Sequence, residues 1–448
     1  MYMMVNKMLR QNAVKDSSAM QKKWNWWLLA TAVVIYFFVN FQRSSIPGTI
    51  FNELQSAFNA SAAQVTNISA VFMYVYAVTQ LIAGLAADKF GGARTILWGA
   101  LLLCIGSLIF PVCSNLGLLL LGRVLVGLGC GAIFLAIVKE IDRIYPEKFT
   151  SVLGSVILLG YAGSIVGGLP LSKAVEYVSW RWIFVAVAVL TLLGYLGFIY
   201  CKKQVAIPPV RKEKLSILPF VVVMRSRNCR WLLIAGGVGY AVYYLMLAVI
   251  GKKLLEDICS TSPAVAGGCV SLMVIVAGAM NYLVGYLSTR FGNLRKPFLY
   301  ITLSSCLLGA VMGLIGLQLK AGTWYFIVVM QLIAASAGFS PVTNSLIREY
   351  TPSQYTGSGS SVLNFVAYLA VAICGNLAGW LMDVFSAGKV VKDGVVIYPA
   401  SSYAAVLILS MVIAVSALAA AMMLPETRGK NIYKQEKLQL KARRKKGV

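Results

Sequence analysis

Twelve apolar runs, most of them about twenty residues long, fill the 448-residue chain and fix what it can become. A bilayer's hydrocarbon core is about 30 Å thick and needs roughly 20 apolar residues to cross as a helix. The runs fall near 26–50, 66–88, 95–112, 117–138, 151–171, 181–200, 231–250, 264–287, 297–316, 324–346, 358–382 and 402–424. Only helices and closed barrels satisfy their backbones in lipid, and barrel strands are shorter and alternate in polarity, so these runs predict helices. With 59% hydrophobic and 12% charged residues and a mean hydropathy of +0.77, soluble domains would expose more apolar surface than water tolerates. The fold class expected is an all-α integral membrane protein with twelve transmembrane helices.

An even number of spans places both termini on one face. That face carries 31 Lys and Arg and the opposite face 8, with Arg123 inside a span. By the positive-inside rule the termini are cytoplasmic, in an inner (plasma) membrane. The net charge of +25 is thereby an orientation signal and not a nucleic-acid footprint. The same count divides the chain. A basic N-tail (1–25) precedes a six-helix bundle (26–200), and a linker (201–230) holding Pro208 and Pro209 precedes a second bundle (231–424). A basic C-tail (425–448) suited to anionic lipid follows. The run after the N-tail lacks a small-x-small cleavage site and reads as a retained helix. Most of the nine cysteines sit in apolar runs as small hydrophobes, while Cys259 and Cys269 flank an outer loop where a disulfide is conceivable. Histidine is absent, which removes His catalysis, His metal ligation and His proton relays. Neither a metal site nor a cofactor is expected, and no catalytic residue is proposed.

The loop after the second helix, GLAADKFGGAR (84–94), returns as GYLSTRFGNLR (285–295). Gly84, Gly91 and Arg94 recur as Gly285, Gly292 and Arg295, Lys89 becomes Arg290, and Asp88 becomes Thr289. A duplicated six-helix unit explains this spacing. Here the chain resembles the major facilitator superfamily. Gly84, Asp88, Lys89 and Gly91 match that family's loop pattern, with Gly92 and Ala93 in place of two basic residues. Arg123, Gly127 and Gly129 match its helix-4 pattern, Trp180-Arg181-Trp182 resembles the start of its helix 6, and Pro425 to Gly429 resembles the sequence after its helix 12. The resemblance implies two pseudo-symmetric bundles rocking about a central site. It also implies gating at the loops by Gly84, Asp88, Lys89, Gly91, Arg94, Gly285, Arg290 and Gly292. The plain alternative is a tight positive-inside turn. Gly163-Ser164 stands where the family's drug antiporters carry Gly-Pro, which disfavours multidrug export.

Charges inside spans are costly and mark function. Arg43 lies in the outer half of helix 1, Arg123 early in helix 4, and Lys139 at the end of helix 4. All 15 Asp and Glu fall in loops or at helix ends. An unpaired cation without a midplane acid favours an anion or zwitterion held by a guanidinium fork. Arg43 admits three readings: substrate anchor, snorkelling side chain, or partner of Glu53. Arg123 reads mainly as structural, and Lys139 divides between a mouth contact and orientation charge. Asn40, Tyr240, Tyr244 and Gln331 rank next because the family sets helices 1, 4, 7 and 10 around its cavity, with Tyr74 and Asn364 behind them. Packing and helix-to-helix hydrogen bonding compete for each of these. The expected function is secondary transport of a small organic anion or zwitterion by alternating access, as a monomer. It would use a coupling ion (H+ or Na+) or a counter-substrate, with uptake ahead of efflux. A ligand sensor on the same fold is the alternative from another class.

Overall fold

The computed structural model describes residues 2–146, 149–205, 218–352, 356–392 and 395–433. Its twelve helices long and apolar enough to cross a membrane are, in chain order, Met20–Ser45, Ala62–Ala83, Gly92–Val112, Leu116–Ile144, Val152–Tyr177, Trp180–Gln204, Arg227–Cys259, Pro263–Arg290, Lys296–Gln318, Thr323–Tyr350, Ser358–Val384 and Ala400–Met422. They are called spans 1 to 12 below. The linker core (206–217) and the residues after Tyr433, including the Lys441–Lys446 run, lie outside the described residues.

Local chemistry sets the helix ends. Ser61 opens span 2 with a reciprocal cap: Gln64 N donates to Ser61 Oγ at 3.3 Å, and Ser61 N donates to Gln64 Oε1 at 2.9 Å. Asn115 caps span 4 through Leu118 N at 2.8 Å. At the C-terminus of span 3, Arg181 Nη1 donates to the carbonyls of Pro111 and Cys113 at 2.8 and 2.7 Å. This gives the Trp-Arg-Trp sequence a physical job, because those carbonyls have no partner inside their own helix.

Four boundaries differ from the sequence expectation. Residues 46–50 leave the helix, where Pro47 has no N–H to donate, and form a turn and a short 3-10 segment before a helix at Phe51–Phe58. Span 5 breaks at Gly167 and Gly168 into Phe149–Val166 and Leu169–Tyr177. The expected span-free linker ends in a helix, Leu218–Arg225, and span 7 runs on to Cys259. Span 7 also holds two π-helical segments, Leu233–Val238 and Met246–Ile250, flanking Tyr240–Leu245. Such π segments widen a helix locally and recur at functional sites.

Inside each bundle glycine decides how closely helices approach. A Cβ on Gly129 would lie 2.5 Å from the Gly99 carbonyl oxygen and 2.6 Å from Leu103 N. Gly127 and Gly131 abut span 2 at Phe72, Val75 and Thr79, so the glycine row of span 4 is a packing seam on both sides. Gly163 meets the Phe37 backbone of span 1 in the same way. Lipid tails are as apolar as leucine, so such close packing, and not water exclusion, holds membrane helices together. Spans 1–6 and 7–12 form two bundles that meet along spans 2 and 11, 5 and 8, and the far ends of 1 and 7. A two-stranded hairpin, Val390–Lys392 with Val395–Ile397, covers the face opposite the chain ends.

Candidate functional site

A cavity of about 320 Å³ lies between the bundles, lined from spans 1, 2, 4, 5, 7, 8, 10 and 11. Arg43, in the last turn of span 1, is the charged residue among its described lining. Its guanidinium is placed by its own helix. Asn40 Nδ2 donates to the Tyr36 carbonyl at 3.0 Å, which turns Asn40 Oδ1 toward Arg43 Nη2 at 2.6 Å. Across the interface Arg43 Nη1 reaches Tyr368 Oη at 3.3 Å, and Tyr244 Oη donates to the Arg43 carbonyl at 2.6 Å. Arg43 Nε is buried with no hydrogen-bond partner. An arginine so placed has donors left for an anion.

Around it stand aromatic rings. Tyr76 and Tyr368 meet edge to face at 4.7 Å between ring centres, Tyr240 lies 6.0 Å from Tyr368, and the guanidinium sits 6.0 Å from the Tyr76 ring centre. Tyr36, Phe134, Tyr161, Tyr243 and Phe339 complete this wall. Nearer the chain ends come amides and hydroxyls: Gln80, Asn281, Ser340, Thr343, Asn344 and Asn364.

Of the expected binding residues, Arg43, Tyr240 and Asn364 line the cavity. Asn40 and Tyr244 stand behind Arg43 and hold it. The other four do not line it. Arg123 is fully buried in the first bundle, its guanidinium 4.4 Å from the Phe72 ring centre and its Nη1 3.4 Å from the Gln42 carbonyl. Lys139 is exposed at the end of span 4. Tyr74, two residues before the lining Tyr76, is partly buried against the hydrophobic core and does not line the cavity. Gln331 turns inside the second bundle toward Cys269, its Nε2 3.4 Å from that sulfur. Glu53 is not the partner of Arg43, and Cys259 and Cys269 are free thiols. Tyr36, Phe134, Tyr161, Ser340 and Thr343 were not expected; Tyr36 lies two turns before Arg43 on the same helix, a spacing legible in retrospect.

Beyond Arg43, toward the face opposite the chain ends, the bundles are stitched together. Asp383 of span 11 accepts from Ala62 N and Ala63 N at 3.1 and 2.8 Å, capping span 2 from the other bundle. Tyr398 Oη donates to the same carboxylate at 3.0 Å and receives Ala62 N at 2.9 Å. Burial, reinforced by that carboxylate, pushes the Tyr398 phenol above its usual range, so it stays a neutral donor. Ser271 Oγ donates to the Ile165 carbonyl and accepts from Leu169 N, both at 2.8 Å. Lys253 Nζ donates to Asn52 Oδ1 at 2.6 Å while pairing with Asp257 at 3.1 Å. Two of these cross-bundle bonds, Arg43 with Tyr244 and Asn52 with Lys253, join residues 201 apart. That is the period of the sequence repeat, and equivalent residues touch where a pseudo-twofold axis passes between two halves.

The loop residues divide. Gly91 and Gly292 adopt φ of +87° and +73°, which glycine alone takes without strain. Lys89 and Arg94 are exposed, and Arg290 bonds Tyr286 Oη at 3.0 Å on its own helix. Gly285 packs on Pro341 within the second bundle. The surroundings of Gly84 and Asp88 lie outside the described residues. Arg295, the repeat of Arg94, is instead buried and pairs with Glu349 at 3.0 Å, and Glu426 accepts from Arg295 N and Lys296 N at the start of span 9. The Pro425–Gly429 sequence is therefore a helix cap.

The chain resembles curated relatives along most of their lengths. It is 23% identical over 404 residues to the uncharacterized MFS-type transporter Rv1250 of Mycobacterium tuberculosis, covering 78% of this chain and 69% of that one. It is 23% identical to the putative multidrug resistance protein MdtD of Pectobacterium atrosepticum, covering 81% and 88%. Among solved structures, a bacterial homolog of the human lysosomal transporter Spinster superposes with a TM-score of 0.70 at 16% identity, covering 89% and 97%. A D-xylose-proton symporter does so with 0.67 at 13% identity, covering 91% and 99%. The family description Major Facilitator Superfamily matches residues 32–256 and 253–447, so with two six-helix bundles around a shared cavity this chain belongs to the Major Facilitator Superfamily of membrane transporters and is not an enzyme.

Proposed function

We propose that this transporter is a secondary carrier that moves a small organic anion or zwitterion through the cavity by alternating access. Carboxylates, amino acids and carboxylate-type metal chelates fit the class. The observation that carries the reading is Arg43: a cation lines the cavity, and no Asp, Glu or His stands beside it among the described lining residues. Desolvating an unpaired charge is expensive, and an anionic ligand offsets that cost while using the free Nε and the guanidinium fork. The same lining offers no carboxylate to load and release a proton, which supports exchange for a counter-substrate ahead of proton coupling at the site itself. The Lys and Arg asymmetry supports an inner-membrane protein with cytoplasmic termini, so the stitched face is the outer one.

Efflux is the second reading, favoured by the relatives named as multidrug resistance proteins and served by the aromatic cavity wall. Counterflow in proteoliposomes separates the two. Labelled carboxylates or amino acids should accumulate against a preloaded pool, and Arg43→Ala should abolish this at normal expression. Uptake of a cationic dye such as ethidium by the wild type, unaffected by Arg43→Ala, would overturn the anion reading.

A further inference from the structure

The two ends of the cavity offer different groups, and the difference names a ligand shape. Its deep end holds donors. Arg43 contributes Nε, buried without a partner, and the hydroxyls of Tyr76, Tyr161, Tyr240 and Tyr243 make no described hydrogen bond to the protein. Its other end holds amides and hydroxyls whose oxygens are open to a ligand. Asn281 Nδ2 is committed to the Ala277 carbonyl at 2.8 Å, and Asn344 Nδ2 to the Ser340 carbonyl at 2.9 Å. Each amide thereby spends one of its two N–H hydrogens one turn back on its own helix, which fixes its orientation and leaves Oδ1 and the second N–H for a ligand. Thr343 spends its proton on the Ser340 carbonyl at 3.0 Å in the same way. Gln80, only 2% exposed, leaves Oε1 buried without a partner on the same lining.

The two ends lie at different depths. Span 1 runs toward the stitched face and ends two residues after Arg43, whereas spans 2, 8 and 10 run the other way and carry Gln80, Asn281 and Asn344 in their later turns. Tyr368 meets the rings of Tyr76 and Tyr240 edge to face, at 4.7 and 6.0 Å between ring centres. At about 320 Å³ the space is at the small end of the roughly 300–1,000 Å³ usual for ligand pockets, enough for one ring and its substituents.

We infer that the substrate is a single-ring organic anion with a hydrogen-bond donor at the end remote from its charge. The oxyanion sits on Arg43, the ring against the tyrosines, and a hydroxyl or amino group against Gln80, Asn281 and Asn344. The inference rests on Arg43 as anion anchor and adds the ring and the remote donor. Aromatic pairs favour edge-to-face contact with such a ring, and a ligand lacking the donor leaves the unpaired oxygens of Gln80, Asn281 and Asn344 dry.

The test is competition in the counterflow assay with the full-length protein and four probes: 4-hydroxyphenylacetate, phenylacetate, 4-methylphenylacetate and succinate. 4-Hydroxyphenylacetate should compete about tenfold more tightly than the first two analogues, the factor expected for one buried hydrogen bond left unmade. In Asn281→Leu and Asn344→Leu, checked as monodisperse, that ratio should fall toward one. Arg43→Ala should remove all the aryl acids together. Equal competition by the three aryl acids in the wild type overturns the remote donor without any variant, and so does an unchanged ratio in both variants. Arg43-dependent transport of succinate with no competition from aryl acids overturns the ring and leaves the anion carrier standing. Aryl-acid counterflow that survives Arg43→Ala overturns both readings.

Discussion

Two arginines inside spans look alike in sequence and do opposite things. Arg43 faces the cavity with a free Nε, whereas Arg123 is fully buried over Phe72. Lysine keeps the charge of arginine but loses its planar fork, so Arg43→Lys should lower counterflow at least tenfold with protein levels unchanged. Removing Arg123 instead takes away a cation–ring contact and leaves a hole the size of a long side chain. Arg123→Ala should lower the melting temperature of the detergent-purified protein by several degrees. Its relative affinities for competing anions should stay as they are. A changed selectivity order would place Arg123 in the site after all. Both arginines were singled out by the same rule, that intramembrane charge is functional, and the rule could not tell a cavity wall from a bundle interior. That difference depends on which neighbours surround each helix face.

At the scale of elements, glycine and capping explain the motifs that sequence pattern alone leaves as signatures. Gly129 touches the backbone of span 3, and Gly375 in span 11 has nothing within 4 Å of where a Cβ would sit. Gly129→Ala should therefore destabilise by about 1–3 kcal/mol through overpacking, while Gly375→Ala should be neutral or better. Thermal unfolding of the two purified variants checks this, and equal melting temperatures would count against the seam. Twelve spans were legible because each is long and apolar. Boundaries were less so: the break at Gly167–Gly168 and the extension of span 7 to Cys259 come from contacts with the opposite bundle. Gly168 backs onto Gly267 and Ser271, and Lys253 at the end of span 7 reaches Asn52. Neither partner is near in sequence.

Across the whole molecule the far-face stitching ties the two bundles together. Asp383 satisfies two backbone donors at the start of span 2 and does so from the other bundle, so its capping energy exists only while the bundles are together on that face. Removing a capping side chain costs about 0.5–2 kcal/mol, up to about thirtyfold in a two-state equilibrium. Asp383→Ala should shift the population toward a state open on the hairpin side. A cysteine replacing Ser172, buried against Gly267, reports it: its labelling by an impermeant maleimide should rise several-fold in the Asp383→Ala background. An unchanged rate means that Asp383 does not restrain the opening. The loop after span 2 was read as the gate because its motif is visible, whereas the Asp383 cap has no motif, being an acid 321 residues from the amide it serves.

The sequence by itself determined the class of structure. Length and apolarity of the runs demand twelve membrane helices and the 201-residue repeat demands two related bundles, while the distribution of Lys and Arg predicts their orientation, all properties of local composition or spacing. Tertiary structure alone decided which side chains share a space. Arg43 lines the cavity beside Tyr76, Tyr240 and Tyr368 from three other helices, and Gln331 leaves the lining because it turns toward Cys269 inside the second bundle. The physical reason is geometric: in helices that are apolar on every side, hydropathy does not say which face meets lipid, a neighbouring helix or the cavity.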